Sequence, residues 1–394
     1  MQIAVAGCGI AGATAAMLLA QQGHRVTLFE QAPRCGPVGA GILLQPAGQR
    51  LLAGLQLLEP LSRVSARIHS LHAQHRTGRE LVHLDYARLQ APEGPELFGL
   101  GVHRGELFQV LYDKCKAEGV QICEGCEVDR FEQSSGGVVL HGRSEPLDGP
   151  FDLLVAADGS RSRLRAQTGL AGRIREYDYA AVWLTGPCSW AGQQLLQIVG
   201  RDGRLVGVLP IGNGRVSFFW GIRNAEQEQF RSGDASRWKQ QVVEFLPAAE
   251  EIVADVRSTD QLTVATYRNV QMRSCVHGRV VFIGDAAHAS SPHLGQGANL
   301  ALADGVCLAQ RLAENPSDYA EGFRQYQTAR RSTTRFYTQL TGLLTPFFQT
   351  DSRVRQFGRD TVLPIMPGLP YIGRQMLLTM AGLKTGWFTS TRSG

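Results

Sequence analysis

The chain has 394 residues, 43% hydrophobic and 8% aromatic, enough to bury one large core or two. Its 40 basic and 35 acidic residues leave a net charge of +5 with no basic run, which argues against nucleic acid as a partner. The eight cysteines form no regular framework, and Cys123 and Cys126 lack a second C-x-x-C pair to complete a zinc site, so they read as reduced thiols of a cytoplasmic protein.

From Gln2 to Gly23 there is no charged side chain. A secretion signal needs a basic leader, and a membrane span does not begin as a strand followed by a regular turn motif, so buried strand and helix are expected instead. Gln2 to Ala6 read as a strand buried on both faces, Ala11 to Gln22 as a helix, Gly23 as its C-cap and HRVTLFE as the next strand. Gly7, Gly9 and Gly12 place G-x-G-x-x-G on the first turn. The first glycine permits the turn, the second admits a pyrophosphate, and the third lets the helix pack, with the helix N-terminus facing the phosphates. Glu30 ends the second strand 18 residues after Gly12, where a carboxylate accepts hydrogen bonds from an adenosine ribose. A dinucleotide site follows, without a choice between NAD and FAD.

His69, His72 and His75 fan around a helix or alternate across a strand, and no metal site is expected. LGVHRGELFQVL places Arg104 where a strand gives way to a helix, and FDLLVAADGSRSRLR is a buried strand ending in Ala157, Asp158 and Gly159. Between 176 and 275 the rhythm changes to strands: YDYAAVWL, QQLLQIVG, and a hairpin of RLVGVLPI and RVSFFWGI around GNG. The strand RVVFIGD then puts Asp285 at a carboxyl strand end, the edge at which open α/β sheets bind ligands, and Gly295 to Ala298 open a helix. Taken singly, Asp285 reads more readily as an N-cap, Arg104 as a solvated first-turn residue and Asp158 as a turn former than as functional residues.

From Ser317 the spacing of Tyr319, Phe323, Tyr326, Thr333, Phe336, Leu340 and Leu344 predicts a long helix. The segment PIMPGLPYIGRQMLLTMAGLKTGWF beyond it is too short and interrupted to span a bilayer. Packing, a cover for the site, a second subunit or peripheral membrane contact are all open to it, and the oligomeric state is not legible.

The order of the three glycine-containing motifs resembles the FAD-dependent aromatic hydroxylases, the single-component flavoprotein monooxygenases typified by para-hydroxybenzoate hydroxylase. The resemblance covers residues 1 to about 330 and rests on the first glycine motif with Glu30, A-D-G-x-x-S-x-x-R at Ala157 to Arg165, and G-D-A-A-H followed by P-x-x-G-x-G-x-N at Gly284 to Asn299. It implies an α/β fold: a Rossmann-like FAD-binding domain in three parts (1–75, 98–175, 275–315), an inserted mainly antiparallel substrate sheet (76–97, 176–274) and a C-terminal helical region (316–394). It implies FAD contacts at Gly7, Gly9, Ile10, Ala11, Gly12, Glu30, Gly41, Arg104, Val128, Asp158, Gly159, Asp285, Pro292, Gly295, Gly297, Ala298 and Asn299. Trp183, Phe218 and Trp220 are the substrate-lining candidates, and His288, Tyr177 and Tyr179 the candidates for accepting a proton from a phenol.

The implied reaction uses NAD(P)H, bound transiently, and O₂ to hydroxylate an aromatic small molecule (phenolic, quinolone-like or quinone-like) through a flavin C4a-hydroperoxide. The alternatives are a flavoprotein fed reduced flavin by a partner, as monooxygenase, reductase or halogenase, and a non-catalytic flavin-binding sensor.

Overall fold

In the computed structural model, which describes residues 1–36, 39–89, 94–143, 147, 149–200, 203–350 and 352–388, the apolar run Gln2–Ala6 is the centre of a six-stranded sheet. It pairs in parallel with Arg25–Glu30 and with Leu153–Ala156. The sheet continues in parallel to Gln121–Glu124 on one side and to Val280–Phe282 on the other, with a short antiparallel edge strand, Val276–His277. The first strand does not alternate polar with apolar residues because both faces are covered: Ile3, Ala4 and Val5 are each fully buried.

Two helices set the geometry of the site. Ile10–Gln21 and Gly297–Glu314 pack closely because Gly305 lies where a Cβ would come within 2.8 Å of Thr14. Gly305 approaches Thr14, and further along Gln22 Nε2 donates to the Ala309 carbonyl, so positions advance together along both helices. The helices therefore run parallel, and both N-termini face the same end of the sheet.

A seven-stranded sheet stands beside this domain, in the order Thr263–Met272, Ala171–Pro187, Arg215–Arg223, Leu205–Gly212, Gln194–Val199, Ser70–His75, Glu80–Asp85. Only the pairing of Gln194–Val199 with Ser70–His75 is parallel. The sheet thus claims residues from 70 onward, and the boundary expected after residue 75 moves accordingly. Asn213 (φ 53°) and Gly214 (φ 66°) make the hairpin turn, the two left-handed residues that match the twist of the flanking strands.

Helices Ala235–Phe245 and Glu250–Val253, not foreseen within the strand-rich region, cover the back of this sheet. The 30-residue helix Tyr319–Phe348 crosses between the two domains. Beyond it, Pro370–Met380 packs Leu377 and Met380 against Tyr86 and Leu81, while Val354, Phe357, Ile365 and Tyr371 of the same C-terminal region face solvent. Among the described residues, no helix is long and apolar enough to cross a membrane.

Candidate active site

The first glycine turn and the A-D-G segment are packed onto each other. A Cβ on Gly7, whose φ of +104° is left-handed, would lie 2.4 Å from the Ala157 carbonyl oxygen, and one on Gly12 would lie 2.0 Å from the Gly7 carbonyl oxygen. By contrast, Gly9, Gly159 and Gly297 have no atom within 4 Å of a Cβ position, so bare backbone there borders an open cleft. The parallel helices point their unpaired N–H groups and positive dipole ends at this cleft, an arrangement suited to a pyrophosphate.

Carboxylates line the same cleft. Glu30 accepts from the Cys8 amide (2.8 Å) and the Ala32 amide (2.9 Å), which fixes its orientation while leaving lone pairs on both oxygens. Asp158 accepts from the Leu164 amide at 3.3 Å, yet its Oδ1 is buried without a partner among the described residues, and burial pushes its carboxyl up. Asp285 opens the short helix Asp285–His288 and is exposed by area. It is nevertheless surrounded by enough protein that desolvation raises its carboxyl, with His288 and Arg104 pulling the other way. That combination describes the floor of a concave cleft. Arg104 heads its helix, with its side chain beside Gly39. The orphaned Asp158 oxygen, the open glycines and the paired helix ends fit FAD.

Other positions expected at the cofactor are held by packing. Asn299 is buried and fully occupied: its Oδ1 accepts from the Gln45 amide at 2.9 Å, and its Nδ2 donates to the carbonyls of Gly295 (2.9 Å) and Leu43 (3.2 Å). Its side chain staples the loop Pro292–Asn299 to the strand Gly41–Leu44 and does not face a ligand. Gly41 is bare because a Cβ would meet Ser217 at 2.5 Å, and its amide donates to Ser217 Oγ. Val128 packs beneath the parallel sheet with Phe29 and Phe151. Ile10 and Ala11 are buried in the first turn of their helix, and Pro292, Gly295 and Ala298 lie half-buried along the loop.

Two substrate-lining expectations are corrected. Phe218 and Trp220, 0% and 1% exposed, point to the back of the large sheet, where they pack with Trp238, Val242 and Ile252. Strand alternation places Phe219 on the front face instead, against Trp183 at 5.0 Å between ring centroids. On that front face the sheet meets the Pro292–Asn299 loop and the end of the long helix. Tyr267 and His293 face each other with centroids 6.4 Å apart, and Phe348 stacks on His293 at 6.1 Å. His293 Nδ1 lies 2.8 Å from Ser291 Oγ, but its Nε2 has no partner among the described residues.

Neither the Tyr267 hydroxyl nor either end of the Gln349 amide has a hydrogen-bond partner among the described residues, although both groups are buried. Trp183 approaches Tyr267, and Gln349 approaches His293, without reaching hydrogen-bond geometry. Burial lowers His293 to about 4, with Gln349 working weakly against it, so the ring is neutral at pH 7. A further unpaired donor, Gln45 Nε2, lies beside Gly295, and its Oε1 accepts from Tyr86. Sequence reading missed Gln45, Tyr267, His293 and Gln349. His293 alone carried a signal, as the one titratable residue within the glycine-rich loop.

The proton-accepting candidates fare differently. His288 is removed from that role: its Nε2 is bound to Asp304 at 2.5 Å, and Asp304 also takes Arg330 Nε at 2.7 Å and the Gly284 amide at 2.8 Å. Burial alone would raise Asp304, but the charges of His288 and Arg330 hold it well below the usual carboxylate range. This buried network ties the turn before Asp285 to the long helix. Tyr177 is buried, with its hydroxyl 3.3 Å from Asn269 Nδ2, and Tyr179 is half-buried at an irregularity in its strand.

Comparison with known proteins decides the family. A family model described as "FAD binding domain" matches residues 1–341. The chain belongs to the FAD-dependent aromatic hydroxylases. It is 31% identical over 347 residues to a 3-amino-4-hydroxybenzoate 2-monooxygenase of Streptomyces cremeus, covering 84% of this chain and 83% of that one. It is 28% identical to a salicylate hydroxylase of Pseudomonas putida, covering 84% and 82%. A Klebsiella pneumoniae protein solved with FAD and uric acid shares the fold, with a TM-score of 0.82 at 24% identity over 97% of both chains. As a hydroxylase of this family the protein is an FAD-dependent monooxygenase.

Proposed function

We propose that the protein hydroxylates a small, planar, mainly apolar aromatic compound in the chamber bounded by Trp183, Phe219, Tyr267, His293 and Gln349. The observation that carries this reading is the set of buried, unpaired polar atoms on His293, Tyr267 and Gln349 within an aromatic wall. An unpaired buried polar group costs about 1–3 kcal/mol, and a ligand with complementary groups at one edge removes that cost. The relatives named for aminohydroxybenzoate and salicylate support a ring with polar substituents.

In this reading Gly9 and Gly297 place backbone N–H groups at the FAD pyrophosphate, Gly12 lets its helix pack close to the turn, Glu30 holds the adenosine ribose, and Asp285 with Arg104 and Asp158 borders the remainder of the cofactor. When bound, FAD supplies the redox chemistry by which electrons from NAD(P)H activate O₂. The chain's own part is positioning and exclusion of water. Trp183 and Phe219 flank the ring, and His293, neutral at working pH, accepts a hydrogen bond from a substrate hydroxyl at Nε2. His293 thus takes the place expected for His288, with Tyr177 a more remote candidate whose hydroxyl is already engaged.

Anaerobic mixing of FAD-loaded protein with NADH and then NADPH, with and without pooled phenols and quinolones, tests the reading. Flavin bleaching accelerated by one pool, followed by oxygen incorporation into a member of it, is the expected result. No bleaching with either donor refutes a self-sufficient hydroxylase and favours a partner-fed one.

A further inference from the structure

A cavity of about 420 Å³ opens between the long helix Tyr319–Phe348, the strands Ala171–Pro187 and Thr263–Met272, and the C-terminal half of the helix Asp285–His288. It shares no residue with the glycine turn, Glu30, Arg104, Asp158 or the Pro292–Asn299 loop. Arg173 and Arg273 stand on one wall, and Arg331 and Arg335, one turn apart on the long helix, stand on the other.

None of these four has a carboxylate within ion-pair distance, and no Asp or Glu lines the cavity, both among the described residues. Arg330, deeper in, is compensated by Asp304. Other arginines are paired, as Arg63 with Glu59, Arg163 with Asp129, and Arg324 with Glu321 on the same long helix. Like charges at i and i+4 destabilise a helix, and four guanidinium groups around one cavity repel each other.

The cavity also holds a polar group with nothing to bond. Thr338, 2% exposed, lines it, and its Oγ1 is buried without a partner among the described residues. Gln271 and Ser274 add polar groups to the same lining. Arginine's planar fork binds phosphate oxygens in pairs, and the volume lies within the range of sites for small organic ligands.

We propose that this cavity binds a small organic anion carrying two or more phosphate groups. The paired arginines on opposite walls hold the phosphate oxygens, and the Thr338 hydroxyl donates to one of them at the floor. Two opposed walls of charge call for a ligand charged at more than one point, and a single carboxylate would leave most of the field unbalanced.

Calorimetric titration of the FAD-loaded protein with inorganic pyrophosphate tests the proposal without reference to hydroxylation, and bound FAD keeps the probe out of the cofactor cleft. Saturable binding at one site is expected, weakened roughly tenfold or more in R331Q/R335Q. It should be severalfold weaker in T338V and unchanged in R324Q, which alters the same helix outside the cavity. No saturable binding, or equal binding by wild type and R331Q/R335Q when both melt at the same temperature, overturns the proposal. Two sources carry this chemistry. Competition of pyrophosphate with NADPH, together with a raised KM for NADPH in R331Q/R335Q, assigns the cavity to the electron donor's phosphates. Pyrophosphate binding that leaves NADPH kinetics untouched assigns it to a separate phosphorylated metabolite.

Discussion

Replacing Asp304 by Asn isolates the network that holds the cofactor-side turn in place. Asp304 is 0% exposed and receives the Gly284 amide, His288 Nε2 and Arg330 Nε at 2.8, 2.5 and 2.7 Å. An amide keeps one acceptor but turns an N–H₂ toward a donor, and it leaves the Arg330 charge, 13% exposed, without its counter-charge. Breaking a buried pair from one side costs about 3–5 kcal/mol, a large part of the roughly 5–15 kcal/mol by which a folded protein is stable. The assay is urea unfolding of the FAD-loaded protein, with the FAD content measured after gel filtration. The expected loss is about 3–5 kcal/mol with reduced FAD retention, because Gly284 (φ 58°) immediately precedes Asp285.

The double variant D304N/R330M, which removes the stranded charge, should recover part of that loss. Since the native Asp304 carboxyl titrates well below an unfolded one, its contribution is complete above about pH 4 and disappears as the pH falls below that. The deficit of D304N should therefore be flat from pH 5 to 8 and shrink in acid. A loss under about 1 kcal/mol at pH 7 would refute the assignment of this network as a stabilising core element.

Other expectations follow from the chamber and the sheet. His293 is held near 4 in the folded chain against a reference of 6.5, so its contribution is present above pH 6.5 and lost as the pH falls toward 4, by up to about 3 kcal/mol. Urea midpoints at pH 7 and pH 5 should differ less in H293N than in wild type. Tyr267→Phe removes an unpaired buried hydroxyl, so the ligand-free protein should melt no lower than wild type, while the substrate KM rises roughly fivefold or more; a clear loss of stability would mean that the hydroxyl has a protein partner. Phe218→Ala should cost about 3–5 kcal/mol through the cavity it leaves behind the sheet, with substrate preference unchanged in the folded fraction. Trp183→Ala should instead uncouple flavin reduction from hydroxylation, read as hydrogen peroxide released per NAD(P)H consumed, and unchanged coupling would exclude Trp183 from the chamber wall.

The cofactor half of this protein was legible in the chain because its signals are local. A glycine needed at φ +104° beside a carbonyl, a second where backbone must stay bare, and a carboxylate at the end of the next strand are fixed by spacing within one strand-turn-helix-strand unit. The long helix declared itself the same way, through apolar residues at helical intervals. What only the tertiary structure decided were the contacts between distant segments. Asn299 and Asp285 carry the same motif-level signal, yet the first turns inward to staple residues more than 250 positions away, at Gln45 and Leu43, while the second borders the cleft. Phe218 and Phe219 are neighbours of one residue type, and the period of two in a strand sends them to opposite faces, so which one meets Trp183 depended on which face the helices at Ala235–Phe245 and Glu250–Val253 came to cover. His288 belonged to a buried ion pair and His293 to a contact with Tyr267 and Phe348 for the same reason: a residue's partners are set by packing between elements, and sequence spacing along one element cannot specify them.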